Sequence, residues 1–378
     1  MRKKLLLYLF IFLFLILPNN SLGLEKRSNQ NLKQIVIQIQ SSESSNHTST
    51  LAIRSKELFK MVEKILTDKD TMKTKVTYHE LSDATLTIQN KNQTKTYVIN
   101  EMFNLIDEKQ GILLQLPSDF KKKLNKYVSI VRQKHYGQLI TWDQARQKLP
   151  KYSIFTVIDL ESGLSFKVQR RAGSKHADVQ PLTAKDSKIM KQIYNGQWSW
   201  NRRAVLIQGE DYSIAGSMNG MPHGGDGIPH NDFSGHFCIH FLGSTTHRLR
   251  NADPSHQSML YKAAGLWRQY IQSATPNDVI ESFFIALNQK DLFLLKTLFP
   301  HKNHEQIRSF KVEMESTSKI RRLSSYSEEQ HEDLWLEIPI KVILTTKHNK
   351  NQIVVYTFHL QKNAITNEWK IYYVTKNI

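Results

Sequence analysis

The stretch Gly235-His236-Phe237-Cys238-Ile239-His240-Phe241 sets the only cysteine of the chain between two histidines in strict polar/apolar alternation. Side chains two apart in a β-strand point the same way. As a strand, therefore, the segment presents His236, Cys238 and His240 on one face and buries Phe237, Ile239 and Phe241 on the other. That places a β-rich unit at the centre of the chain, with a reactive surface on it. Imidazole and thiolate both ligate transition metals, and a thiolate beside an imidazole is also a nucleophile–base pair, so the same residues support two chemistries.

A second alternating pair, His176-Ala177-Asp178, follows Gly173-Ser174-Lys175. Extended, His176 and Asp178 share a face. Histidine, carboxylate and a further histidine make a common three-ligand set for catalytic zinc, with an open fourth position for a water whose pKa falls to about 7. On this assignment His176, Asp178 and His240 hold zinc and His236 is the general base. On the competing assignment Cys238 is the nucleophile, with His223 or His236 as its base. The purely structural reading is that the cysteine is a small buried apolar side chain and that His176 and Asp178 satisfy one another.

Working outward, the central unit spans residues 141–273. Thr141-Trp142-Asp143-Gln144 is a capping box, residues 154–160 and 164–169 flank a Glu161-Ser162-Gly163 turn as a hairpin, and Asp253-Pro254 opens a helix with proline at its first position. The loop over residues 220–233 is rich in Gly, Pro and Asn and carries His223 and His230; Asn219, Gly220, Gly224 and Gly225 shape it. Trp198, Trp200, Arg202 and Arg203 either line a glycan or peptide cleft or pack internally, and His230 and His247 read as solvated loop residues.

The flanking units differ. Residues 33–134 read as a small α+β unit, with a helix over 51–66, short strands and a second helix to about residue 133. Residues 274–378 run as two helices, 278–288 and 292–299, and then strands at 309–315, 334–345, 352–361 and 368–374. The chain as a whole is thus expected to be α+β and multidomain.

Arg2, Lys3 and Lys4, the apolar run 5–17 and the small residues of Ser21-Leu22-Gly23 make residues 1–23 an expected export signal, too short to serve as a span of ~20 residues. The membrane then enters only through this signal, and the mature chain is secreted or wall-associated. A lone cysteine excludes an internal disulfide framework, so stability rests on burial in two or three cores. A formal charge of +18 draws anions. Export and the lack of an aromatic-basic repeat set nucleic acid aside, which leaves an anionic cell-wall polymer or peptidoglycan as partner.

Three resemblances sharpen these readings. Ser174-Lys175-His176 with Asp178, followed by the segment from His236 to His240, resembles the VanY and murein endopeptidase group of exported zinc peptidases. Here the Asp follows its His more closely, and the second histidine pair is separated by three residues instead of one. Asn219-Gly220-Met221-Pro222-His223 followed by Ser234-Gly235-His236-Phe237-Cys238 resembles the L,D-transpeptidases of bacterial walls, with Phe237 in place of their glycine and His240 in place of their arginine. Pro276-Asn277-Asp278-Val279, Phe283-Phe284, Ala286-Leu287 and Asp291 resemble the opening helix of NTF2-like domains, which implies helices packed in the concavity of a curved antiparallel sheet. Residues 135–270 also resemble a domain of exported Gram-positive proteins. The expected functions are a metal-dependent hydrolase of peptidoglycan peptides, an L,D-transpeptidase-like cysteine enzyme, or a non-enzymatic envelope-binding protein.

Overall fold

The computed structural model describes residues 33–68, 71–76, 81–90, 93–225, 227–246, 251–324, 333–347 and 351–377. The export signal read in residues 1–23, and His247, lie outside them. No described helix is long and apolar enough to cross a membrane. The chain is α+β, and among the described residues the antiparallel strands form three separate sheets.

The first unit contains β1 (Gln34–Gln40), β2 (Thr48–Ile53), α1 (Lys56–Thr67), β3 (Lys73–Lys75), β4 (Ala84–Gln89), β5 (Thr94–Ile99), β6 (Leu105–Asp107), β7 (Ile112–Leu114) and α2 (Ser118–His135). The strands order as β2-β1-β4-β5-β6-β7-β3. Alternation in β1 sends Ile35, Ile37 and Ile39 to one face, where Phe120, Leu124, Val128 and Val131 of α2 meet them at helical spacing. The helix expected over residues 51–66 starts later. Residues 51–53 belong to β2 and pair with β1, and the Ser55 side chain accepts from the Leu58 amide to open α1.

The central unit holds α3 (Trp142–Lys148), β8 (Ile154–Asp159), β9 (Ser165–Ala172), β10 (Ala177–Pro181), α4 (Ala184–Ile193), β11 (Arg203–Gln208), β12 (Ser213–Met218), β13 (Phe237–His240), α5 (Pro254–Ala263) and α6 (Trp267–Gln272). Its strands close into a six-membered barrel, β10-β13-β12-β11-β8-β9. Closure removes both sheet edges. Val157, Phe166, Val179, Val205, Phe237 and Ile239 are among the side chains that fill the interior. The capping box read at Thr141 is formed.

The third unit comprises α7 (Pro276–Gln289), α8 (Leu292–Thr297), α9 (Glu305–Ser316), β14 (Thr317–Arg322), β15 (Trp335–Thr346), β16 (Gln352–Lys362) and β17 (Trp369–Asn377). The strand expected at 309–315 is helix. Ile307, Phe310 and Met314 recur at helical spacing and are the buried residues of α9, and the short polar/apolar alternation inside that stretch is incidental.

The units share buried contacts. Met259, Ala263, Trp267 and Ile271 of α5 and α6 join one apolar core with Phe283, Leu295 and Phe358 of the third unit, and with Leu206 and Ala215 from the outer barrel face. Beside it the buried Lys262 ammonium reaches Glu161 at 3.2 Å and Asp291 at 2.6 Å. Ser42 of the first unit donates to the same Glu161 at 2.6 Å.

Candidate functional site

The site lies on the outer face of the barrel, where β10 and β13 pair. With Phe237, Ile239 and Phe241 buried inside, alternation turns Cys238 and His240 outward, as the sequence pattern requires. Antiparallel register then sets Asp178 opposite Cys238 and Ala177 opposite Ile239. One step further along the two chains, the His176 ring stacks on His240 with centroids 4.5 Å apart. The two alternating motifs, sixty residues apart, are thus neighbours.

The loop between β12 and β13 completes the site. His223 and His236 exchange both backbone hydrogen bonds, at 2.9 and 2.7 Å, which folds the loop back on itself. Two glycines permit this close approach. Gly235 has φ +104 and Gly224 φ +72, and a Cβ on them would overlap the His223 carbonyl and the His236 ring, respectively. Gln180 of β10 donates its side-chain amide to the Gly235 carbonyl and ties the loop to the barrel.

Within this frame the Cys238 Sγ lies 3.3 Å from His223 Nε2, and His223 Nδ1 lies 2.8 Å from the Met221 carbonyl. A carbonyl only accepts, so Nδ1 carries the hydrogen and Nε2 turns its lone pair to the thiol. Cys238 is 4% exposed. Burial, and then the charge of Asp178, push the thiol pKa up, against a hydrogen bond from the Asn219 side chain. The group therefore rests as a neutral thiol facing a base.

His176, Asp178 and His240 are also brought together, in a different arrangement. His176 Nε2 is 3.1 Å from Asp178 Oδ1, and its Nδ1 is 2.8 Å from the Thr245 carbonyl. Both ring nitrogens thus face acceptors. The His176 and His240 rings are 11° from parallel. The donor atoms of His176, His240 and Cys238 nonetheless lie within 4.8 Å of one another, so this face also offers a donor cluster, with Cys238 as its third member. His240 stacks in turn on His256 at 3.7 Å, and His256 Nδ1 pairs with Ser217 Oγ at 2.8 Å. Burial and the neighbouring histidines hold the His240 pKa far down; burial, Arg202 and His176 do the same for His256.

Sequence reasoning did not find His256, Ser217 or the Met221 and Thr245 carbonyls. His256 sits in the first turn of α5 with nothing in its spacing to connect it to a strand sixteen residues earlier. Of the expected cleft residues, Trp200 is 50% exposed with its ring 5.1 Å from that of His223. Trp198 packs edge-on against Phe233, at 5.1 Å. Arg202 pairs with Asp253 at 2.6 Å, and Arg203 engages Asp159. An open cleft of about 790 Å³ runs beside the loop, lined by Trp198, Pro222, Ile228, Pro229 and Phe233 among others, and His230 lies on its wall.

No protein-family model matches the chain, and no curated protein matches it.

Proposed function

We propose that the chain is an exported thiol acyltransferase of the cell wall, of the kind that the L,D-transpeptidases represent, with Cys238 as nucleophile and His223 as general base. The observation that carries this reading is the 3.3 Å approach of Cys238 Sγ to a His223 ring whose other nitrogen is held by the Met221 carbonyl. Nucleophile, base and orienter are in hydrogen-bond reach of one another. As the sulfur attacks a peptide carbonyl, its proton passes to His223 Nε2, and the Met221 carbonyl steadies the imidazolium. Collapse of the tetrahedral adduct breaks the C–N bond, and the leaving amine takes the proton from Nε2. The thioester left on Cys238 is then resolved by a second amine, which completes transpeptidation, or by water.

Substrate entry from the cleft beside Pro222 and Trp198 suits an extended peptide, and the positive charge of the chain suits an anionic wall. The third unit, read as NTF2-like, packs against α5 and the barrel and serves as a structural or positioning module.

The test is a comparison of Cys238→Ser, Cys238→Ala and His223→Ala on peptidoglycan stem peptides, with intact-mass detection of an acyl adduct. All three variants should lose turnover, and the wild type should gain the mass of the acyl donor. A Cys238→Ala protein that keeps most of its activity would end the thiol reading in favour of hydrolysis without the thiol. Retained binding of wall fragments with no turnover in any form would favour an envelope-binding protein.

A further inference from the structure

We infer that the same side-chain cluster is a binding site for a thiophilic divalent cation such as Zn²⁺, held by Cys238, His223 and His236, and that occupancy switches the thiol off. This rests on the thiol reading for its regulatory consequence, though not for the binding itself. The donor set differs from the His176, Asp178 and His240 grouping and shares only Cys238 with the His176–Cys238–His240 cluster.

The donor atoms of His223, His236 and Cys238 all lie within 4.8 Å of one another. The two rings are tilted by 57° with centroids 4.5 Å apart, so their planes intersect, as two ligands of one ion require. Tetrahedral zinc, with Zn–S about 2.3 Å and Zn–N about 2.0–2.1 Å, puts sulfur and nitrogen about 3.5 Å apart. The observed separation of Sγ from His223 Nε2 is 3.3 Å. His223 already has the outer-sphere partner that metal-binding histidines use, since its Nδ1 faces the Met221 carbonyl and leaves Nε2 as donor. The Asp178 Oδ1 atom, 3.8 Å from His236 Nε2 and 3.9 Å from the cysteine sulfur, adds a negative charge at the rim. That charge favours a bound cation.

Binding exchanges one proton for the metal. The thiol S–H bond breaks, sulfur bonds to the cation as thiolate, and the proton leaves to solvent. The ion then occupies the His223 lone pair and the sulfur lone pair together, the two groups on which acyl transfer depends.

The experiment measures iodoacetamide labelling of Cys238 in the full-length protein, without metal and with Zn²⁺ in micromolar steps, followed by chelator. The expected result is labelling slowed at least tenfold by Zn²⁺ and restored by chelator, with His236→Ala shifting the protecting concentration upward at least tenfold. Co²⁺ supplies a second readout, since a sulfur-to-cobalt charge-transfer band appears only if the thiolate is a ligand. Should His236→Ala lose its fold by circular dichroism, the Co²⁺ band in the wild type and its absence in Cys238→Ser decide the matter. Unchanged labelling under Zn²⁺, or equal protection in wild type and folded His236→Ala, overturns the inference while leaving acyl transfer by Cys238 intact. Protection by Zn²⁺ in a protein whose Cys238→Ala variant keeps its turnover supports the metal site and removes the acyltransfer reading instead.

Discussion

Asp178 and Cys238 face each other directly across the β10–β13 ladder, and the carboxylate oxygen lies 3.9 Å from the sulfur. A carboxylate so close to a nucleophile opposes its ionisation, and here it adds to the effect of burial. The site therefore holds Cys238 as a neutral thiol at rest, which limits its reaction with passing electrophiles.

Asp178→Asn removes that charge and keeps the shape. Its expected effect is a lower Cys238 pKa and faster alkylation near neutral pH, by about tenfold for each pKa unit released. Rates of iodoacetamide labelling against pH in the two proteins check this. Equal profiles would mean that Asp178 does not govern the thiol.

Acid should weaken the first unit through His135. Burial, together with the stacked His47 ring, lowers its pKa from 6.5 to about 3, although Asp83 pulls the other way. The folded state holds this imidazole neutral while the unfolded chain protonates it. Its contribution is therefore complete above about pH 6.5 and is lost as the pH falls toward about 3, at about 1.4 kcal/mol per pH unit. Urea unfolding at pH 7, 6 and 5 should show a shallower pH dependence in His135→Gln than in wild type, by roughly one proton. Parallel curves would refute the assignment.

Lys262 joins all three units through Glu161, Asp291 and the serines at 42 and 44. Burial resists the charge on Glu161, yet the Lys262 ammonium and the Ser42 and Ser44 hydroxyls prevail and lower its pKa to about 2. Lys262→Met leaves two half-buried carboxylates without their cation and should cost about 3 kcal/mol. The triple variant with Glu161→Gln and Asp291→Asn should recover most of that loss in thermal unfolding. A Lys262→Met protein as stable as wild type would show that the network is solvated in solution.

The sequence made the site legible wherever chemistry followed a local period. Alternation in residues 235–241 and 176–178 sorted barrel-interior from outward side chains, because the pleat enforces period two, but it did not show that the outward face is buried as well. It could not show that the two segments pair, since register between strands sixty residues apart depends on barrel closure. The same limit hid the role of the loop. His223 was suggested by its interval from Cys238, but its orienter is a backbone carbonyl, which leaves no mark in residue identity. His256 was invisible for a related reason, being placed by a helix packing on the barrel exterior. The miss at residues 309–315 is the converse case, in which seven alternating residues mimicked a strand inside an amphipathic helix.

Trp267 offers a test of the boundary read at residue 274. Thr275 caps α7 and Pro276 opens it, so the local signals do mark a new element there. The apolar core ignores that mark. Trp267 is 1% exposed within the core of the third unit, and its indole N–H donates to Thr297 Oγ1 at 2.8 Å. Truncation at 274 would remove this ring along with Met259, Ala263 and Ile271, leaving part of the α7 and α8 surface open to water. A fragment of residues 251–378 should therefore unfold cooperatively and well above a fragment of 274–378, which should melt broadly or bind hydrophobic dye. In the full chain Trp267→Ala should cost about 3–5 kcal/mol, as loss of a large buried aromatic does. Thr297→Val should cost far less by itself, because the unpaired indole N–H is the main loss, about 1–3 kcal/mol. Equal melting of the two fragments would place the domain boundary back at residue 274 and make α6 a linker.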